Sequence, residues 1–320
     1  MWVVRVAIGW LGWQLTGSAF WLGALAAADT MPGLILGPFG GALADRLDRL
    51  KISIVTQAAL CIIAIFLAVL TVSGLMTIWI LFALALSRGI TASFWQPVRL
   101  AMMPNLVPRA EIPTAIALNS STFHTAQFVG PAVATGLLTL GGPSLAFAFN
   151  VIAAGAMVGV LLTIDMPSTG VAKHKRASMF ADIVAGMRYG LTHAGIGPML
   201  LLLLVLGLGI RPVAELLPGF ADLIFGLDVG GYSMMVSSVG LGAMSGAIYM
   251  LRQGNRGAIT AIALRSGIVG GAATLAFALT NWLPLAMFCL VVLGFTMTSG
   301  GIATQQLVQL AVPDELRGRV

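Results

Sequence analysis

The chain has 320 residues, of which 58% are hydrophobic and 9% charged, with a net charge of +6. A soluble domain carries about 25% charged residues, so this inventory excludes a water-facing surface over most of the chain. The basic balance does not indicate nucleic acid, because the basic residues are dispersed into short loops and form no domain able to hold a duplex.

Asp, Glu, Lys and Arg are absent from 6–28, 52–87, 112–164, 189–210, 229–251 and 266–313. A spanning helix needs about 20 apolar residues, so 112–164 and 266–313 each have room for two spans. The runs are continuously apolar and rich in Gly and Ala, unlike the alternating strands of a membrane barrel. Helices remain as the structure that satisfies its own backbone in lipid. In chain order the predicted spans are 2–15, 19–43, 52–72, 76–99, 113–139, 143–165, 196–224, 230–251, 258–279 and 284–311. Arg5, the following apolar stretch and Ala24-Leu25-Ala26 imitate a signal peptide, but the run continues past Ala28 into a further hydrophobic segment. Cys61 and Cys289 both lie inside apolar runs, which argues against a disulfide framework.

The loops alternate in character. Thr16-Gly17-Ser18, Ser73-Gly74, Gly141-Gly142-Pro143, Asp228-Val229-Gly230 and Asn281-Trp282 contain no Lys or Arg. The loops between them hold Asp45 to Lys51, Arg99 to Arg109, Lys173 to Arg188, Arg252 to Arg256, and Arg317 with Arg319. They collect 13 of the 17 basic residues; Arg5, Arg88, Arg211 and Arg265 fall inside spans. Basic loops face the cytoplasm, which sets the expected orientation. Segment 166–195 is the longest polar stretch, and its part 179–189 has the spacing of an amphipathic surface helix. The expected organisation is an N-terminal half at 1–166, a linker at 167–195 and a C-terminal half at 196–320. A faint repeat supports two parallel halves. Val107-Pro108-Arg109-Ala110-Glu111 and Val312-Pro313-Asp314-Glu315 lie 205 residues apart, as do Gly41 and Gly246.

At Gly41-Ala42-Leu43-Ala44-Asp45-Arg46-Leu47-Asp48-Arg49-Leu50-Lys51 the chain resembles the major facilitator superfamily, whose loop between helices 2 and 3 reads Gly-x-x-x-Asp-Arg-x-Gly-Arg-[Arg/Lys]. Gly41, Asp45, Arg46 and Arg49 match; Asp48 replaces the usual Gly, and Leu50 precedes Lys51. Arg88-Gly89, Gln96-Pro97, Pro104 to Pro108, Gly130-Pro131 and Val312 to Arg319 are similar to the enterobactin-exporter-like branch of bacterial efflux proteins. The resemblance implies an all-α fold of twelve helices in two pseudo-repeated halves around a central cavity, of which about ten helices are present. Span 2–15 is shorter than a full crossing, and Arg317-Gly318-Arg319 resembles the loop before helix 11. The chain is therefore expected to lack the start of helix 1 and helices 11 and 12.

Charges within lipid are costly and mark function by default. Asp45, Arg46, Arg49 and Lys51, with Gly41, are the expected gate, able to form charge-assisted bonds in one state and release them in the other. Asp29 stands towards the outer part of the second span and is a candidate proton acceptor. Arg88, mid-way along the fourth span, resembles the basic residue that the superfamily associates with proton coupling. Arg211 and Glu215 share a face of the seventh span, and Pro212 and Pro218 around Glu215 predict a broken helix. Gln14, His124 and Gln127 are candidate cavity residues. No phosphate-binding loop, metal-ligand cluster or nucleophile with a base is present in the sequence. The reading is a proton-coupled exporter of a small amphipathic molecule, a drug or siderophore. It is not an enzyme, needs no cofactor or metal, works as a monomer, and has substrate, protons and the lipid bilayer as partners. The alternative is a shortened, non-transporting membrane scaffold.

Overall fold

The computed structural model describes residues 1–44, 47–108, 111–164, 201, 207, 211–253 and 259–311. Among them every regular element is helical. The helices are α1 Trp2–Thr16, α2 Ala19–Ala44, α3 Arg49–Val72, α4 Ile78–Leu106, α5 Ile112–Thr163, α6 Arg211–Gly219, α7 Val229–Gln253, α8 Ile259–Leu279 and α9 Leu283–Ala311. Seven of the described helices are long and apolar enough to cross a membrane. The α5 run covers two predicted spans. Gly141 (φ −153°, ψ 17°) and Gly142 (φ 69°, ψ −168°) leave the helical region inside it, and the positive φ at Gly142 is one that glycine alone adopts freely. The segment 179–189, Arg109, Arg256 and the marker at 312–315 lie outside the described residues.

Two expectations need correction. Arg99 was assigned to a loop, but α4 continues to Leu106 and Arg99 lies within it. The apolar run Leu100-Ala101-Met102-Met103 carries the helix on, and Pro97 does not stop it. Pro97 lacks an N–H for the Ser93 carbonyl, and α2 passes directly over that carbonyl: a β-carbon on Gly40 would stand 2.7 Å from it. The break expected around Glu215 is also displaced. The helix runs through Pro218 and then widens into a π-turn, Phe220–Ile224, in which Phe225 N–H donates to the Phe220 carbonyl at 3.2 Å.

Packing divides the chain into two compact units, Met1–Ala126 with Val133–Lys175, and Gln127–Ala132 with Arg176–Val320. In the first, α2 and α4 run parallel. Their starting turns meet where Trp21 sets its ring edge against Trp79 (4.9 Å) and Phe82 (6.2 Å). Further along they approach backbone to backbone at Gly89, where a β-carbon would be 2.6 Å from the Ala28 carbonyl and 2.7 Å from that of Asp29. Such glycine seams are how helices gain contact in lipid, where burial from water gives no drive. At the other end of this unit Val98, Met102 and Leu161 form a core with Leu50, Ile52 and Met157. The Ser53 hydroxyl is buried there, donating to Met102 Sδ at 2.9 Å.

The second unit repeats the α2–α4 motif. Helix α9 starts 205 residues after α4 and, like it, is 29 residues long. It packs against α7 at Gly242 and Gly294, where β-carbons would collide with the Val291 and Val239 carbonyls respectively.

The start of α3 explains one departure in the loop motif. Asp48 is the N-cap, its Oδ1 accepting from the amides of Leu50 (3.0 Å) and Lys51 (3.2 Å). A carboxylate there satisfies two orphan donors and complements the helix dipole, which the glycine usual at this place does not do. Lys51 stands 4.0 Å from the same carboxylate, largely exposed, so that pair contributes little.

Two outcomes follow. Asp48→Ala should remove about 1 kcal/mol from the first turn of α3, seen as several-fold faster hydrogen exchange at the Leu50 and Lys51 amides, with Asp48→Asn near wild type. Gly294→Leu should abolish monodisperse protein on size exclusion in mild detergent. Gly271→Leu, on α8 with nothing within 4 Å of a β-carbon, should not.

Candidate functional site

The Gly89 seam brings together two residues singled out separately by sequence. Asp29 of α2 and Arg88 of α4 form an ion pair, Oδ1 to Nη2, with side chains only 12% and 10% exposed. Gly89 is what permits it: the residue after Arg88 has no side chain, so the Asp29 backbone lies against α4 and its carboxylate reaches the guanidinium. Ser93, buried one turn further along, returns its hydroxyl to the Gly89 carbonyl at 2.7 Å, so it adds no free polar group to the seam.

A buried pair of this kind is rarely kept for stability. Desolvating two charges costs several kcal/mol per ion, and a well-packed apolar replacement is often as stable. The second unit displays that replacement. In its equivalent seam Leu293 precedes Gly294 as Arg88 precedes Gly89, and Gly294 faces Val239 and Ala243. No charge occurs anywhere in 229–251. The crossing closes without an ion pair in one half and carries one in the other.

The loop motif is placed in part. Gly41 lies in the last turn of α2, while Asp45 and Arg46 lie outside the described residues. Arg49 opens α3, and its Nη1 donates to the Ala101 carbonyl of α4 at 2.8 Å. This bond ties α3 to α4 within the first unit. Lys51 is exposed beside Asp48. Of the remaining candidates, Gln14 is exposed on α1, Gln127 is half-buried on α5, and Glu215 is half-buried on α6. The side chains of His124 and Arg211 lie outside the described residues.

One polar group was missed. Arg99 of α4 donates from Nη1 to Asn119 Oδ1 of α5 at 3.0 Å, and its guanidinium lies 5.0 Å from the centre of the Trp95 ring. Assigning Arg99 to a loop hid it; the uninterrupted apolar residues on its C-terminal side were the available signal.

Comparison with known proteins agrees with this architecture. The sequence profile of the family described as transmembrane secretion effector matches residues 1–320. The chain is 24% identical over 310 residues to the enterobactin exporter EntS of Shigella boydii serotype 4 (strain Sb227), covering 96% of this chain and 73% of that protein. The same protein from Escherichia coli O81 (strain ED1a) matches equally, at 24% with the same coverage. Among solved structures, a D-xylose-proton symporter superposes with TM-score 0.62 at 14% identity, over 99% of this chain and 83% of that one. A bacterial homologue of the iron transporter ferroportin, in an inward-facing state, gives 0.59 at 15% identity with the same coverage. A family match along the whole chain, an all-helical fold and these neighbours place the protein among multi-pass membrane transporters, not enzymes: it belongs to the transmembrane secretion effector family of the major facilitator superfamily.

Proposed function

We propose that the protein exports a small amphipathic molecule across the bacterial inner membrane by alternating access, driven by proton entry, with Asp29 and Arg88 as the coupling pair. The observation that carries this reading is the buried Asp29–Arg88 pair at a helix crossing whose counterpart is closed by Leu293 and glycine alone. In the observed state the Arg88 guanidinium compensates the charge of the Asp29 carboxylate. When the helices shift and the guanidinium withdraws, an isolated carboxylate in a low-dielectric site takes up a proton instead. Alternation between these two states links a proton to a conformational change, as a switch with differential charge stabilisation must. Arg49, joined to the α4 backbone near the basic end, is proposed as part of the gate, together with Asp45 and Arg46. The name of the EntS relatives supports export as the direction, and the basic loops support a cytoplasmic placing of that end.

The test is efflux of a labelled hydrophobic substrate from inverted vesicles under an imposed pH gradient. Wild type should respond to the gradient. Asp29→Asn should lose at least about tenfold of the gradient-driven rate while still exchanging substrate down its own gradient. Loss of both activities together, or retention of gradient response, contradicts the assignment. Arg88→Gln alone should destabilise by about 3–5 kcal/mol, because it leaves a buried carboxylate unpaired. The double variant Asp29→Asn with Arg88→Gln should recover most of that in thermal unfolding.

A further inference from the structure

Helix α4 carries a second polar group in lipid, and it has the marks of a binding site. On α4, Trp95 and Gln96 stand four and three residues before Arg99, so each neighbours the arginine on the helix surface. All three are half-buried, as is Asn119 on α5. Asn119 occupies one guanidinium nitrogen of Arg99 at 3.0 Å, and the Arg99 Cζ stands over the Trp95 ring, 5.0 Å from its centre. Among the described residues no carboxylate pairs with Arg99. Two atoms of the cluster are buried with no hydrogen-bond partner: Arg99 Nε, a charged donor, and Gln96 Oε1, an acceptor. Each unmet buried group costs about 1–3 kcal/mol, more for the charged one.

The repeat shows that the fold does not need this expense. At the same offset α9 has Gly300, Gly301 and Thr304 in place of Trp95, Gln96 and Arg99. Thr304 is fully buried and satisfied by its own helix, donating to the Gly300 carbonyl at 2.8 Å. One half thus closes this stretch with small, self-satisfied residues. The other holds an arginine fixed by an amide and an aromatic ring, with its Nε edge and a neighbouring acceptor unmet.

We infer that Trp95, Gln96, Arg99 and Asn119 form a recognition site for an oxyanion that carries an adjacent hydrogen-bond donor, for which 2-hydroxybenzoate serves as a probe. The Nε edge of a guanidinium takes a carboxylate or phenolate oxygen. Gln96 Oε1 accepts from the neighbouring hydroxyl. Asn119 and Trp95 hold the guanidinium plane in place before the ligand arrives, which limits the ordering cost of binding. The inference rests on the export reading for the site's purpose, naming anions over cations as the transported class; binding itself is independent of proton coupling.

Isothermal titration calorimetry of the purified full chain in phosphatidylcholine nanodiscs, without any gradient, tests it with 2-hydroxybenzoate, benzoate and benzamide. The expected order is 2-hydroxybenzoate, then benzoate, then benzamide, with about tenfold or more between the first and last. Gln96→Leu should remove the preference for 2-hydroxybenzoate over benzoate and leave benzoate unchanged. Arg99→Lys, which keeps the charge and loses the planar fork, should weaken both acids. Equal binding of acid and amide, or unchanged selectivity in Gln96→Leu, overturns the site. So does loss of 2-hydroxybenzoate binding when phosphatidylglycerol is added, which would give the place to a lipid headgroup. Should binding hold while vesicle efflux fails, the export reading falls and the site stands; efflux without anion preference gives the reverse.

Discussion

The structure turns on how closely two helices approach at Gly89. In lipid, helices have little hydrophobic reason to associate, so contact between backbones has to supply the attraction. With no side chain at Gly89, α2 lies against α4 at Ala28 and Asp29. That approach fixes the α2–α4 pair, whose first turns are pinned by Trp21 and Trp79. It also places the Asp29 carboxylate on Arg88. A packing device and a charge device share one residue, so a shift of the seam must disturb the ion pair. This gives the pair a mechanical meaning that a salt bridge between surface side chains would lack.

The internal repeat supplies a control that a single structure seldom offers. Helices α4 and α9 have equal length and stand 205 residues apart, and each uses a glycine to meet its parallel partner. What differs between the two seams is therefore what the packing does not require. On that comparison the Asp29–Arg88 pair and the Arg99 cluster are both additions to a fold that closes without them. Buried charge placed where apolar residues suffice is what the proposed handling of a charged species would use.

Much of the fold could be read from the sequence, because the membrane imposes a simple rule on composition. Charge-free runs gave the helices, and the turn at Gly141-Gly142 fell where two glycines before a proline put it. Asp29 and Arg88 were each conspicuous as charges in apolar runs. Their pairing was not legible, since it depends on the approach of helices distant in sequence at Gly89. Arg99 was misplaced because an arginine between two prolines reads as a loop. In the structure Pro97 stays inside the helix, with α2 crossing the carbonyl it leaves free. Asp48 looked like a lapse from a loop motif and is instead the N-cap of α3, a local role that a motif comparison has no means of showing.

Proton coupling as proposed requires Asp29 to change protonation as the protein works. Infrared difference spectroscopy on the purified chain in nanodiscs reads this directly, by comparing substrate-bound and substrate-free protein across pH. Coupling through Asp29 predicts a carboxylic-acid band that rises as carboxylate absorption falls, that shifts in pH when substrate binds, and that disappears in Asp29→Asn. A band of that kind that persists in Asp29→Asn, or an Asp29 that stays ionised in both states throughout the pH range of transport, would contradict it.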